Sequence, residues 1–177
     1  DILGVRVSIL TVDSLLTIIE QAFSGGSWMR IQHLNMHGLY YGLVDERVAR
    51  VFASADYVQV DGMGVVWLGK LLGRKITKAH RLTYVDFIHQ LFREAENNGW
   101  RISYIGGTER TIGVATVRIS EMYPKLLIGF ESGYWAGEVD GEGAVRAYSR
   151  VEEFGPDIVL VGLGMPQQEL WLAEHSS

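Results

Sequence analysis

The strongest constraint on this chain is its regular exchange of short β-rich runs for amphipathic helical stretches. Met29 to Leu34, Tyr57 to Val60, Ile102 to Ile105, Leu126 to Phe130 and Ile158 to Val161 read as strands. The first helix is expected to be capped by Asp13, to carry Leu15, Leu16, Ile18, Ile19 and Phe23, and to end at Gly25-Gly26. Further helical spacing runs from about Glu46 to Ala53, Met63 to Leu72, Tyr84 to Asn97, Thr108 to Met122 and Glu142 to Phe154. Pro166 is suited to the first position of a last helix. Strands joined through helices pair in parallel, and a parallel sheet has to be covered on both faces. The expected class is α/β, with a mostly parallel sheet and helices on both sides. No repeat, low-complexity tract or linker interrupts the pattern, so residues 1–177 are expected to form a single domain.

Composition removes several function classes. A hydrophobic content of 47% can supply a core, which argues against disorder. The net charge of −5 argues against a general nucleic-acid partner, whose affinity would come from a basic face. With no cysteine, disulfides and thiolate metal sites are excluded. No run approaches the roughly 18 apolar residues of a membrane span. Asp1, Arg6 and Asp13 interrupt the N-terminal apolar residues, unlike a signal peptide. Attachment to a membrane is therefore expected at its surface only. Charge is locally uneven. No acidic residue lies between Asp61 and Asp86, where Lys70, Arg74, Lys75, Lys78 and Arg81 occur. This run reads either as a solvated helix end or as a site for phosphates or anionic lipid headgroups.

Polar and glycine residues gather just after the strands: Asn35, Asp61, Gly106-Gly107 and Gly164. In open parallel sheets of the Rossmann-like kind, ligands bind beyond the carboxyl ends of the strands, so these tips are expected to line one crevice. Asp61 reads either as the cap of the next helix or as a general base over that crevice. Asn35 is a turn-forming amide or a ligand for a sugar hydroxyl, and His33 points to the same side of its strand. Gly106-Gly107 is a tight turn or an approach for a nucleotide, without the full dinucleotide-binding glycine pattern, which disfavours an NAD enzyme. The run Gly162-Leu163-Gly164-Met165-Pro166-Gln167-Gln168-Glu169 offers backbone N–H groups and amides suited to uracil, ribose or diphosphate, or simply opens a helix. His33 and His37 lack a third ligand at telling spacing, so no metal is expected.

Taken in order, these segments resemble the WecG/TagA/CpsF glycosyltransferases. The resemblance begins at Ile2-Leu3-Gly4-Val5, continues through Leu34-Asn35, Ala55-Asp56 and Val60-Asp61-Gly62-Met63-Gly64-Val65, and includes Arg81-Leu82-Thr83 with Asp86. It runs on through Ile105-Gly106-Gly107, Tyr123-Pro124, Gly133-Tyr134 and Pro156-Asp157-Ile158 to Gly162–Glu169. The resemblance implies an inverting, metal-independent enzyme without a cofactor. It would move a sugar from a UDP-sugar donor to a polyprenyl-diphosphate-linked acceptor for bacterial cell-surface polysaccharide or wall polymer synthesis. It also implies work at the inner face of the cytoplasmic membrane, and self-association. By similarity, Asp61 would be the base, Asn35 would hold the acceptor or the base, Gln168 would line the nucleotide-sugar pocket and Arg81 would help hold phosphate. His33, Gly106, Gly107, Gly164 and Pro166 complete the expected substrate contacts.

Three features depart from the family pattern. His33 stands where threonine is frequent, and Tyr84-Val85 replaces Gly-Ser before Asp86. The sequence also ends at Ser177, before the strand and membrane-docking appendage that family members carry, so weak or no activity is expected of these residues alone. The rival reading is a non-catalytic nucleotide-sugar-binding or scaffold protein.

Overall fold

The computed structural model describes residues 1–26, 28–134 and 141–175. The protein is α/β, with every named strand pairing in parallel and helices flanking the strands, as expected of a Rossmann-like fold. The strands form two sheets, and the chain divides into two compact units, Asp1–Ile88 and His89–Ser177.

In the first unit, α1 (Val12–Gly25) is capped by Thr11, not by Asp13 as expected. The Thr11 hydroxyl accepts from the Ser14 N–H while the Ser14 hydroxyl accepts from the Thr11 N–H. This reciprocal box satisfies two otherwise orphaned donors and leaves Asp13 in the first turn, where its charge still suits the helix dipole. Strand β1 (Ile31–Leu34) leads into α2 (Met36–Val44), α3 (Glu46–Ser54), β2 (Tyr57–Val60) and α4 (Met63–Leu71). The pair β1–β2 runs in register from Ile31 opposite Tyr57 to Leu34 opposite Val60. Before β2, the Asp56 carboxylate accepts from the Arg30 N–H at 2.8 Å, which pins that register.

In the second unit, β3 (Arg101–Gly106) is central in the order β4-β3-β5, with β4 at Leu127–Glu131 and β5 at Ile158–Gly162. The helices are α6 (Glu109–Met122), α7 (Glu142–Phe154) and α8 (Gln167–His175), while α5 (Tyr84–Asn98) carries the chain from the first unit into the second. Asp157 repeats the device of Asp56, its carboxylate accepting from the Arg101 N–H at 2.7 Å. Ala55-Asp56 and Pro156-Asp157-Ile158 thus serve strand pairing at the amino ends, away from the carboxyl-end tips. A core of Ile105, Val151, Val161 and Trp171 holds α7 and α8 against β3 and β5.

Pro166 lies one residue before α8, after a cis Met165–Pro166 bond, instead of at the first helical position. Its carbonyl accepts from the Leu170 N–H at 3.1 Å. The sequence pattern gave no sign of α2. That helix contains Gly38 and Gly42, which weaken helical propensity, but a side chain at Gly42 would meet the Phe52 ring of α3.

Candidate active site

The first unit builds a carboxylate centre at the end of β2. Asp61 is locked on both sides by backbone: its own N–H donates to the Leu34 carbonyl at 2.9 Å, and the preceding Val60 carbonyl accepts from the Leu82 N–H at 2.8 Å. It does not cap α4. The N-cap there is Gly62, at φ 99°, and no side chain caps that helix. The helix-cap reading is therefore set aside, and the half-buried carboxyl is left for other work.

Asn35 supports it from β1. Its Oδ1 accepts from the Gly38 N–H at 2.9 Å, capping α2, while its side chain also hydrogen-bonds Asp61. Asn35 is thus the cap of α2 and at the same time a neighbour of the Asp61 carboxyl. Burial pushes the Asp61 carboxyl above the usual carboxylate range; the Asn35 bond and the positive charge of Arg81 offset this in part, and Asp86 adds to it.

Arg81 is itself held. Its Nη2 contacts the Asp86 carboxylate at 2.8 Å, and the other Asp86 oxygen accepts from the Thr83 N–H and hydroxyl at 2.8 and 2.7 Å. Burial alone would raise the Asp86 carboxyl, but the two Thr83 donors and Arg81 outweigh it and hold it below its ordinary value. The resembling residues Arg81, Thr83 and Asp86 are one clasp at the start of α5, and it fixes a guanidinium near Asp61.

His33 stacks on Tyr84 with ring centroids 4.7 Å apart and takes a hydrogen bond between Nδ1 and the Gln59 amide at 2.7 Å. Burial lowers its pKa to about 4, so it is neutral at physiological pH. Tyr84, one of the three departures from the family pattern, thus stacks on His33, another of them. Gln59 is fully buried within β2, with Oε1 lacking a hydrogen-bond partner.

The second unit gathers three strand tips. Because β3 lies between β4 and β5, the chain leaves β3 toward one neighbour and returns to the other, the topology that opens a crevice at the carboxyl ends. Here Gly106 sits opposite Gly162 so closely that a Cβ on Gly106 would lie 2.5 Å from the Gly162 carbonyl oxygen. The Gly107 carbonyl accepts from the Gly133 N–H at 3.1 Å, which draws in the end of β4. Gly107, at φ 69°, then turns the chain into α6, capped by Thr108. The glycine pair is a tight turn, and its close backbone packing requires the first glycine.

Gly164, at φ 78°, is exposed, and its carbonyl accepts from the Gln168 N–H at 2.9 Å. The Gln168 amide donates to Glu169 Oε1 at 2.8 Å. Glu169 is fully buried, with Oε2 unpartnered, and burial raises its carboxyl above the ordinary range. Sequence reading treated Glu169 as part of a helix opening. Only its 0% exposure reveals it as the support of Gln168. Among the described residues, no three His, Cys, Asp or Glu side chains converge to hold a metal ion, and no helix is long and apolar enough to cross a membrane.

The family model for the glycosyl transferase WecG/TagA/CpsF family matches residues 1–177. The chain belongs to that family. Similar proteins include the N-acetylglucosaminyldiphosphoundecaprenol N-acetyl-β-D-mannosaminyltransferases of Staphylococcus aureus strains NCTC 8325 and COL. Each is 26% identical over 179 residues, a match that covers all of this chain and 68% of the relative. The WecG/TagA/CpsF family is one of glycosyltransferases.

Proposed function

We propose that this protein transfers a sugar from a UDP-sugar to a polyprenyl-diphosphate-linked sugar in the synthesis of a bacterial surface or wall polymer, by a single inverting displacement without a metal. The staphylococcal relatives are named for an N-acetylmannosaminyl transfer to a diphosphoundecaprenol-linked N-acetylglucosamine, which supports this class of acceptor. The observation that carries the reading is Asp61: a half-buried carboxylate at a strand end, caps nothing, is hydrogen-bonded by Asn35 and has its pKa raised.

Those features suit a general base. An acceptor hydroxyl attacks the anomeric carbon of the donor as its proton passes to the Asp61 carboxylate. The bond from that carbon to the diphosphate breaks, and its electron pair stays on the departing phosphate oxygen. A raised pKa makes the carboxylate a better proton acceptor, and a base of this kind contributes about 10²–10⁴-fold in rate. Charge on the leaving diphosphate needs positive or N–H partners. Arg81 and the backbone N–H groups around Gly106, Gly107 and Gly164 are this chain's candidates, with Pro166 and Gln168 lining the nucleotide-sugar pocket. His33, being neutral, can exchange hydrogen bonds with an acceptor hydroxyl without adding charge. The protein works at the inner face of the cytoplasmic membrane, where its lipid-linked acceptor lies.

Asp61→Asn, assayed with radiolabelled UDP-sugars and a short-lipid acceptor, is expected to lower turnover by about 10²–10⁴-fold. UDP affinity, read by thermal stabilisation, should stay within about threefold. In the parent, the rate should fall as pH drops through a value above the ordinary carboxylate range. Parental turnover by Asp61→Asn would remove Asp61 from the chemistry, and UDP binding without any transfer by the parent would favour a non-catalytic binder.

A further inference from the structure

We propose that the buried Glu169 is a positioning residue that selects uracil over cytosine: it holds the Gln168 amide in one orientation, and the held amide fits only one of the two bases. The inference rests on the uridine diphosphate donor proposed above and adds how its base is read.

An amide side chain is ambidextrous. Its oxygen accepts, its nitrogen donates, and a half-turn about the last bond exchanges the two. A free glutamine therefore pairs equally well with uracil, whose N3–H donates beside accepting carbonyls, and with cytosine, whose N3 accepts beside a donating amino group. It discriminates only when something breaks that symmetry. Here a carboxyl does. Gln168 Nε2 donates to Glu169 Oε1 at 2.8 Å, and a half-turn would set the Gln168 oxygen against that oxygen, acceptor against acceptor. The hold is independent of charge. Burial raises the Glu169 carboxyl, but a proton on Oε2, the oxygen without a partner, leaves Oε1 an acceptor.

What remains free on Gln168 suits one base. The side chain is part-exposed, and among the described residues its Oε1 is neither hydrogen-bonded nor buried. With the second N–H of Nε2, the amide offers an acceptor beside a donor. That pair matches the N3–H and a carbonyl of uracil, whereas N3 of cytosine would face Oε1 as a second acceptor. The backbone places the amide with the strand tips. The Gln168 N–H donates to the Gly164 carbonyl at 2.9 Å, and Gly164 lies just beyond β5, at the carboxyl end where a ligand is received. Glu169 is fully buried with Oε2 unpartnered, a placement that disfavours folding where an apolar side chain of similar size would not. Violations of this kind gather at functional sites.

The test is thermal stabilisation of the 177-residue chain by UDP, CDP, N3-methyl-UDP and 2′-deoxy-UDP, with urea unfolding of each variant. The parent should bind UDP about 10- to 100-fold more tightly than CDP or N3-methyl-UDP. Glu169→Leu should reduce the UDP-to-CDP ratio to about threefold or less, because the released amide turns to suit either base. Its urea midpoint should stay parental or rise, since a buried carboxyl has been replaced by an apolar group. Glu169→Gln, whose own amide can turn, should lose the ratio as well at a parental midpoint. A parental ratio in both variants would overturn the proposal. So would a lowered midpoint with the ratio intact, which would make Glu169 a structural residue. A parent that binds UDP and CDP alike but rejects 2′-deoxy-UDP would move Gln168 to the ribose and overturn the base reading alone. A parent that binds none of the four would overturn the donor reading, and this inference with it.

Discussion

The carboxylate centre of the first unit and the strand tips of the second use opposite means. Around Asp61 each side chain is held by a neighbour: Asn35 by the Gly38 N–H, Arg81 by Asp86, Asp86 by Thr83, and His33 by Tyr84 and Gln59. At the tips of β3 and β5, Gly106 and Gly162 bring bare backbone within contact distance, with the Tyr104 hydroxyl packed against both glycines. The contrast is one of chemistry. On the proposed function, moving a proton requires a titratable group whose pKa is set by its neighbours, whereas receiving a bulky anion requires N–H groups free of crowding side chains. One region is tuned by electrostatics and the other by the removal of Cβ atoms.

The comparison breaks most readily at Gly106. Gly106→Val would place atoms against the Gly162 carbonyl oxygen and is expected to cost about 1–3 kcal/mol of stability, with loss of UDP binding. Urea unfolding and UDP thermal shifts check this; a stable, UDP-binding variant would deny the tips their role.

A smaller effect is expected at Asn35, where two jobs can be separated. Asn35→Ala loses the α2 cap and should cost about 1 kcal/mol. Asn35→Asp keeps an acceptor for the Gly38 N–H but sets a second carboxylate beside Asp61. It should unfold near the parental urea midpoint, while the acid limb of its pH–rate profile moves to higher pH. An unmoved limb would detach Asn35 from the base.

The smallest effect concerns His33. In the unfolded chain it takes up a proton near pH 6.5, but in the folded protein only near pH 4. Stability should therefore be full above pH 6.5 and decline as pH falls toward 4. His33→Phe keeps a ring for Tyr84 to stack on and should flatten that decline in urea midpoints measured across pH. The same slope in both proteins would sink the assignment.

Much of the framework was legible in the sequence, because alternating apolar periods dictate helix and strand directly. The helix expected from Glu142 to Phe154 and the strand from Tyr57 to Val60 form with those bounds. What escaped depended on contacts between distant residues. Helix α2 owes its existence to the Asn35 cap and packing on Phe52, neither visible as periodicity. Thr11 displaced Asp13 as a cap because its partner Ser14 closes a reciprocal pair. The strand-end position of Asp61 could be read from Val60-Asp61-Gly62, but its freedom from capping could not, since that follows from the backbone angle at Gly62. Glu169 looked like any helical glutamate until its burial was known.

The double engagement of Asn35 narrows what position 35 can tolerate. Helix starts commonly accept asparagine, aspartate, serine or threonine with little distinction. Aspartate has no N–H to offer the neighbouring carboxyl, and serine or threonine has one shorter hydroxyl in place of the separate oxygen and N–H of the amide. On the proposed function, a substitution that looks conservative for folding would therefore still shift the proton affinity of the carboxyl at position 61.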